Sequence, residues 1–305
     1  MKLHSSALAI AIHLLQVVRG APATRKSGHF DFLTWNIAGL PALINNNGVP
    51  GDKAANSRLI GAALGREHHD IVHLQEDFHY HSEIYETNTH PVRTRTSGTV
   101  ILGDGLNTLS NYRYEDFTRV QWDKCSIRSG DCLTPKGFTI MRMKAIGFEL
   151  HLYNLHADAG GNANDATARS SGIDQLLETI DEVSRGVPVI IAGDFNDRWT
   201  NSKGSIDRLT EAGFLDPWVD LIRDGEYPIK GAPADPCGTP AVNNECEVVD
   251  KIFYRSSNSV TLTAISFDYI TEGFLQPNGD MLSDHNPLLV NFDWSRIDHS
   301  IKVQE

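Results

Sequence analysis

Short apolar runs rich in β-branched residues recur along the chain, and most of them stop at a polar residue. The stretches 30–36, 70–76, 98–102, 138–143, 148–155, 187–194, 248–254, 260–267 and 288–292 read as strands. Their lengths and residue types fit a pleated, largely buried surface. A different period marks two helices. Ile173, Leu176, Leu177, Ile180 and Val183 fall on one face of a helical repeat, with Asp165 or Thr167 as the N-cap. The stretch 55–67 places Leu59, Ile60, Ala63 and Leu64 in the same way. Strands interleaved with helices, without strict alternation, predict an α/β (α+β) core built on mixed sheets.

No Pro/Gly/Ser-rich linker divides this pattern, so one domain is expected over 28–294, with a short linker at 21–27 and a polar tail at 295–305. The stretch 225–247, rich in Pro, Gly and Asn, reads as a long surface loop. Residues 1–20 stand apart. Lys2 is followed by an apolar run from Ala7 to Val18 and by the small residues Gly20 and Ala21. That is the layout of a secretory signal peptide, and the run is too short for a membrane span of about 20 residues. A secreted, extracellular protein is expected. The four cysteines agree with an oxidising compartment. They allow three pairings, of which the local one, Cys125 with Cys132 and Cys237 with Cys246, closes two small loops. No C-x-x-C spacing supports zinc, and no Asn-x-Ser/Thr sequon is present.

Composition narrows the function classes. Of 305 residues, 40% are apolar, which excludes collagen-like, low-complexity and disordered chains. Lys and Arg number 27 against 39 Asp and Glu, a formal charge of −12. That balance argues against a protein that coats nucleic acid by neutralising many phosphates. It leaves open an enzyme that grips a few phosphates through a metal.

The chemistry collects at strand ends. Thr34-Trp35 leads to Asn36, His73-Leu74-Gln75 to Glu76, and Asn154-Leu155 to His156. Ala192-Gly193 leads to Asp194-Phe195-Asn196, Val248-Val249 to Asp250, and Ser283-Asp284-His285-Asn286-Pro287 precedes a strand. One carboxylate at a strand end is usually a turn or a cap. Eight polar groups in six ordered apolar settings are harder to assign to packing. Asn36, Glu76, Asp194, Asn196 and Asp284 are oxygen donors suited to a hard divalent cation. Beside two imidazoles, such a set suits phosphodiester hydrolysis, in which the metal neutralises the phosphate and a histidine moves the proton.

In this order and at these separations, the motifs resemble those of the endonuclease/exonuclease/phosphatase (deoxyribonuclease I-like) superfamily, across about 30–294. The resemblance implies a four-layer sandwich of two packed mixed β-sheets flanked by helices, with the site at one end. It implies Mg²⁺ (or Mn²⁺ or Ca²⁺) held by Glu76 with Asn36 and Asp284 on the metal side. It makes His285 the general base, oriented by Asp250. Asp194 and Asn196 would hold the water and phosphate, and His156 would bind phosphate or assist the leaving group. Members usually carry Tyr after that Asp, where this chain has Lys251.

Within the superfamily, Asp131-Cys132-Leu133-Thr134-Pro135-Lys136-Gly137-Phe138 resembles the Lys-Gly segment of secreted neutral sphingomyelinases, which makes Lys136 a substrate-binding candidate. The stretch 61–78 resembles their helix-strand region around the metal-binding Glu. A sphingomyelinase C-like enzyme is therefore expected, a monomer working on phospholipid at a bilayer surface and releasing ceramide and phosphocholine. Two departures stand out. His156 is followed by Ala157-Asp158 where bacterial enzymes continue differently, and 270–281 offers only Tyr269, Phe274 and Leu275 in place of an exposed aromatic hairpin. A secreted deoxyribonuclease would keep the same chemistry but needs cations along a cleft, for which Arg93, Arg95, Arg113, Arg119 and Arg128 are candidates. A catalytically inactive secreted binding protein is the third reading. An inositol-phosphate phosphatase is disfavoured by secretion.

Overall fold

Alternation along the first strand assigns its side chains to two layers. A computed structural model describes residues 26–297, apart from 100–102, 128–129 and 145. In β1 (Ser27–Asn36), Phe30 and Phe32 enter one buried cluster, while Leu33 and Trp35 enter another. Both faces are covered, as a period of two in a doubly buried strand requires.

The strands β2 (Ile71–Gln75), β3 (Val92–Arg93), β4 (Asn107–Ser110), β10 (Val260–Tyr269) and β11 (Leu288–Arg296) join β1 in a six-stranded sheet. Its order is β10-β11-β1-β2-β4-β3. A second sheet has the order β5-β6-β7-β8-β9, from β5 (Tyr114–Gln121), β6 (Gly137–Met143), β7 (Leu150–His156), β8 (Val189–Asp194) and β9 (Asp250–Arg255). The helices are α1 (Lys53–Glu67), α2 (His81–Thr87), α3 (Ala163–Val183), α4 (Asp207–Glu211) and α5 (Pro217–Ile222).

Among the strands of the described residues, only β1–β2 and β7–β8 pair in parallel. Parallel neighbours need a crossover, and α1 and α3 supply them, which puts one helix outside each sheet. Ile60, Ala63 and Leu64 of α1 share a cluster with Leu33, Trp35, Val72 and Leu74. Ile173, Leu176 and Ile180 of α3 join the cluster of the second sheet. Between the sheets, Tyr254 meets Phe292 edge-on at 5.3 Å. The result is helix, sheet, sheet, helix. The expected architecture is the one found.

The registers bring one set of strand ends together. Thr34 opposes Leu288, Asn36 lies beside Gln75, His156 beside Asp194, and Asp194 opposes Asp250. The C-terminal ends of β1, β2, β7 and β8 and the N-terminal ends of β9 and β11 therefore open at the same end of the sandwich.

Several boundaries differ from the sequence reading. The strand expected at 98–102 is not found in its described part: Gly98 and Thr99 are irregular, 100–102 lie outside the described residues, and the strand is β4 instead. β3 was not expected, nor was β5, whose Glu115, Asp116 and Arg119 give it no apolar run. Helix α3 starts earlier than Asp165 or Thr167 suggests. Its N-cap is Asn162, which accepts from the Asn164 and Asp165 amides, while Asp165 answers from the third helical position in a capping box. Helix α1 starts at Lys53, capped by Asp52. Ser295 and Arg296 extend β11 into the stretch read as tail. The leader expected at 1–20, residues 21–25, Arg128 and 298–305 lie outside the described residues. Both local disulfides, Cys125–Cys132 and Cys237–Cys246, are present. No helix among the described residues is long and apolar enough to cross a membrane.

Candidate active site

Strand alternation aims the site residues before any loop is considered. Asn36 shares the inward face of β1 with Phe32, and Asp250 shares the inward face of β9 with Tyr254. Lys251, standing where tyrosine is usual, therefore points to the other face. There its amine meets Glu247 Oε1 at 3.1 Å and the Val248 carbonyl, beside the Trp218 ring. The departure leaves Asp250 undisturbed.

Asp194 is the hub of the cluster. Its Oδ2 accepts from Asn36 Nδ2 at 3.1 Å and lies 3.4 Å from His156 Nε2 and 3.9 Å from His285 Nε2. Its Oδ1 accepts from the Asn196 amide at 2.8 Å. Burial works against the Asp194 charge, but the His285 and His156 rings hold its carboxyl below the ordinary value. On the far side of His285, Nδ1 lies 2.8 Å from Asp250 Oδ2. Burial disfavours the charged ring, yet the Asp250 and Asp194 carboxylates raise its pKa well above the usual histidine value. Burial raises Asp250, with the ring opposing. A ring fixed through Nδ1 keeps one tautomer and offers Nε2 for proton transfer.

The metal side lies across Asn36. Asn36 Nδ2 also reaches Glu76 Oε1 at 3.3 Å, and its Oδ1 accepts from the Ala38 amide at 3.0 Å. Asn36 thus joins two carboxylates through its NH₂, and its oxygen, which accepts one bond from Ala38, keeps a second lone pair for the expected metal-side role. Glu76 Oε2 is buried with no hydrogen-bond partner. Burial raises the Asp284 pKa, His285 opposes, and the Glu76 charge raises it further. An Asp284 carboxyl whose charge is disfavoured by burial and by Glu76, beside a Glu76 oxygen without a partner, fits a divalent cation. Asp194, Asp250 and His285 also lie close enough to hold an ion. The ring between those two carboxylates already compensates them, so Glu76 with Asp284 is the better seat.

Backbone geometry holds the carboxylates in place. Ala38, Glu76 and Asn196 all have positive φ, at 52°, 56° and 48°. Such strained residues persist only where their surroundings fix them. At Gly39 a Cβ would lie 2.1 Å from the Glu76 carbonyl, and at Gly193 (φ 147°) one would lie 2.0 Å from the Leu155 carbonyl. Glycine is required at both approaches.

On the His156 side, Lys136 Nζ meets Asp131 Oδ1 at 2.5 Å and donates to the Ala157 carbonyl at 3.2 Å. Asn196 Nδ2 shares that carbonyl. Among the described nuclease candidates, Arg119 and Arg95 are neighbours, the Arg119 guanidinium donating to the Arg95 carbonyl. Arg93 is bound to the Tyr85 and Asn88 carbonyls, Arg119 to Asp104 and Asn107, and Arg113 lies beyond the far end of β4.

Sequence reasoning missed Lys53 and Asn47. Buried Lys53 donates to the carbonyls of Ala38 (2.6 Å), Leu40 (3.0 Å) and Asn45 (3.0 Å) and to Asn47 Oδ1 (2.9 Å). Asn47 Nδ2 in turn reaches Asp284 Oδ2 at 3.4 Å. No local signal separates this lysine from a solvated one. An inter-sheet chain was missed too: Gln75 Nε2 donates to Thr34 Oγ1 and Asn154 Oδ1, and Asn154 Nδ2 to the Leu74 and Asn107 carbonyls.

Comparison with known proteins shows the family and the fold. Residues 51–228 match the model of "Endonuclease/Exonuclease/phosphatase family 2". The chain is 33% identical over 288 residues to proteins named sphingomyelinase from Mycobacterium bovis and Mycobacterium tuberculosis. That match covers 91% of this chain and 55% of those proteins, so the chain spans about half their length. Among solved structures, a humanized D. rerio TDP2 superposes with a TM-score of 0.65 at 19% identity, over 87% of this chain and 98% of that one. A Staphylococcus aureus beta toxin variant with bound magnesium ions superposes with a TM-score of 0.58 at 14% identity, over 86% and 99%. The chain belongs to the endonuclease/exonuclease/phosphatase family.

Proposed function

We propose that the protein is a secreted, metal-dependent phosphodiester hydrolase that cleaves sphingomyelin to ceramide and phosphocholine. The observation that carries the chemistry is the His285–Asp250 pair facing Asp194, across Asn36 from the partnerless Glu76 oxygen. A match at 33% identity to proteins named sphingomyelinase, covering 91% of this chain, supports the lipid substrate. The leader-like residues 1–20 and the two disulfides support an extracellular setting.

In this reading His285, held by Asp250, takes a proton from the attacking water. Asn196 and Asp194 orient that water and the phosphate. His156 stands beside the phosphate on the leaving-group side, with Lys136 next to it. Glu76, with Asp284, would hold a divalent cation, Mg²⁺ for choice, and the ion would neutralise the phosphate and the charge growing on the leaving oxygen. Water adds to phosphorus, the ester bond to ceramide breaks, and the departing oxygen takes up a proton.

The test is the purified protein with Mg²⁺, assayed in parallel on sphingomyelin and on plasmid DNA. Phosphocholine release supports the proposal. Nicking of the plasmid without phosphocholine release establishes the deoxyribonuclease reading in its place, and loss of neither substrate points to a binding protein.

A further inference from the structure

The most exposed apolar side chains are not scattered over the molecule. Among the described residues, six large ones are at least 64% exposed: Leu43, Ile44, Ile127, Leu133, Ile229 and Val242. The next, Ile265, is 51% exposed. All six sit in three connections, and the two that carry Leu43, Ile44, Ile127 and Leu133 leave or enter strands at the catalytic end. Leu43 and Ile44 follow β1, Ile127 and Leu133 precede β6, and Ile229 and Val242 lie in the chain leading to β9.

Three of these connections are tied to the site itself. The first is joined to Asp284 through Asn47. The second is pinned by Ser126 and Asp131 to Asp158 and Ala159, just after His156. The third binds the catalytic loop: Thr239 Oγ1 donates to the Asp284 carbonyl, and Ala241 N to Asn286 Oδ1. A disulfide closes the second and the third, so their tips lose little freedom on contact. The segment 270–281 is otherwise engaged. Phe274 is fully buried against Trp35, with ring centroids 4.8 Å apart, and Tyr269 Oη donates to the Cys246 carbonyl.

We propose that these tips form a docking face by which the protein rests on a zwitterionic phospholipid surface, with the catalytic mouth turned to the bilayer. The inference deepens the sphingomyelinase reading and rests on it for the reaction, though not for the binding. Large aliphatic groups kept in water around one mouth are a standing interfacial contact. Charge selects the type of lipid. The exposed charges on these connections are mixed and acidic on balance, with Lys124, Lys203 and Lys230 against Asp52, Asp123, Asp224, Glu226, Asp235 and Glu245 among the described residues. Lys53 and Lys136 are held internally. A surface of mixed sign gives anionic lipid no advantage.

The test uses the full chain and flotation with phosphatidylcholine vesicles. Wild type should bind without anionic lipid. The pairs Leu43→Ser/Ile44→Ser and Ile127→Ser/Leu133→Ser should each lower binding about tenfold, as loss of inserted aliphatic side chains requires. Ile265→Ser, an exposed aliphatic on β10, should bind as wild type does. Hydrolysis of sphingomyelin in vesicles should fall about tenfold further than hydrolysis of a short-chain soluble diester. Binding that is absent, that needs anionic lipid, or that survives both double substitutions overturns the proposal. So does a wild-type dimer that the tip substitutions turn into monomers, because the tips would then cover each other. Tip-dependent vesicle binding without sphingomyelin hydrolysis leaves the docking face standing and removes the substrate reading; hydrolysis indifferent to the tips does the reverse.

Discussion

His285 is held from two sides: its Nδ1 meets Asp250 Oδ2 at 2.8 Å, and its carbonyl accepts from Trp35 Nε1 at 2.8 Å. Ring and backbone are fixed by different sheets. If the ring is the base, Asp250→Asn should lower kcat by about 10³–10⁴-fold with a smaller change in KM, since the amide permits the wrong tautomer. The acid limb of the kcat/KM profile should also move to lower pH, because the carboxylate that raises the ring's pKa is gone. Steady-state kinetics across pH checks both. Near-normal turnover by His285→Ala would refute the base assignment.

The bare Glu76 oxygen makes a separate claim. Glu76→Ala and treatment of the wild type with a chelator should each abolish hydrolysis, and adding Mg²⁺ should restore only the wild type. Hydrolysis that survives both would leave the metal without a role. Calorimetric titration with Mg²⁺ gives a readout independent of turnover.

Lys53 is a structural test case, because its amine satisfies four acceptors around 38–47. Lys53→Met keeps the length and removes the donors. Stability should fall by about 2–4 kcal/mol, from carbonyls left unpaired, read as a lower urea midpoint at constant slope. Turnover should fall as well, since Asn47 loses its anchor beside Asp284.

His73 is fully buried against Phe32, and burial lowers its pKa to about 3. The unfolded ring titrates near about 6.5. Its contribution is therefore whole above about pH 6.5 and is lost as the pH falls toward about 3, by about 2–3 kcal/mol at about pH 4.5. Asp216, raised to about 6 by burial, acts with the opposite sign in an overlapping window. The measurement is thus a difference: between about pH 7 and pH 4.5, His73→Leu should lose less in Tm than the wild type.

What the sequence determined follows from periodicity and from chemistry that is local in the chain. Short apolar runs rich in β-branched residues located most strands of both sheets, and helical period located both long helices. The polar residues at the ends of those runs, Asn36 to His285, are the ones that the fold gathers at one end. β5 escaped because an edge strand with charged residues carries no apolar run, and the N-cap of α3 was misplaced because Asp165 serves the same box from inside the helix.

Tertiary structure decided what depends on neighbours remote in sequence. Which way the Asn36 amide turns its NH₂ depends on Ala38 and on two carboxylates from different sheets. Whether Lys251 disturbs Asp250 depends on which face each residue takes. Lys53 is a buried clamp only because a loop folds over it, and the exposed Leu43, Ile44, Ile127 and Leu133 share one end only because strand registers from both sheets put them there. Periodicity records whether a side chain is covered; what it touches is set by pairing across 40 to 250 residues of chain, as Asn36 with Glu76 and Trp35 with His285 show.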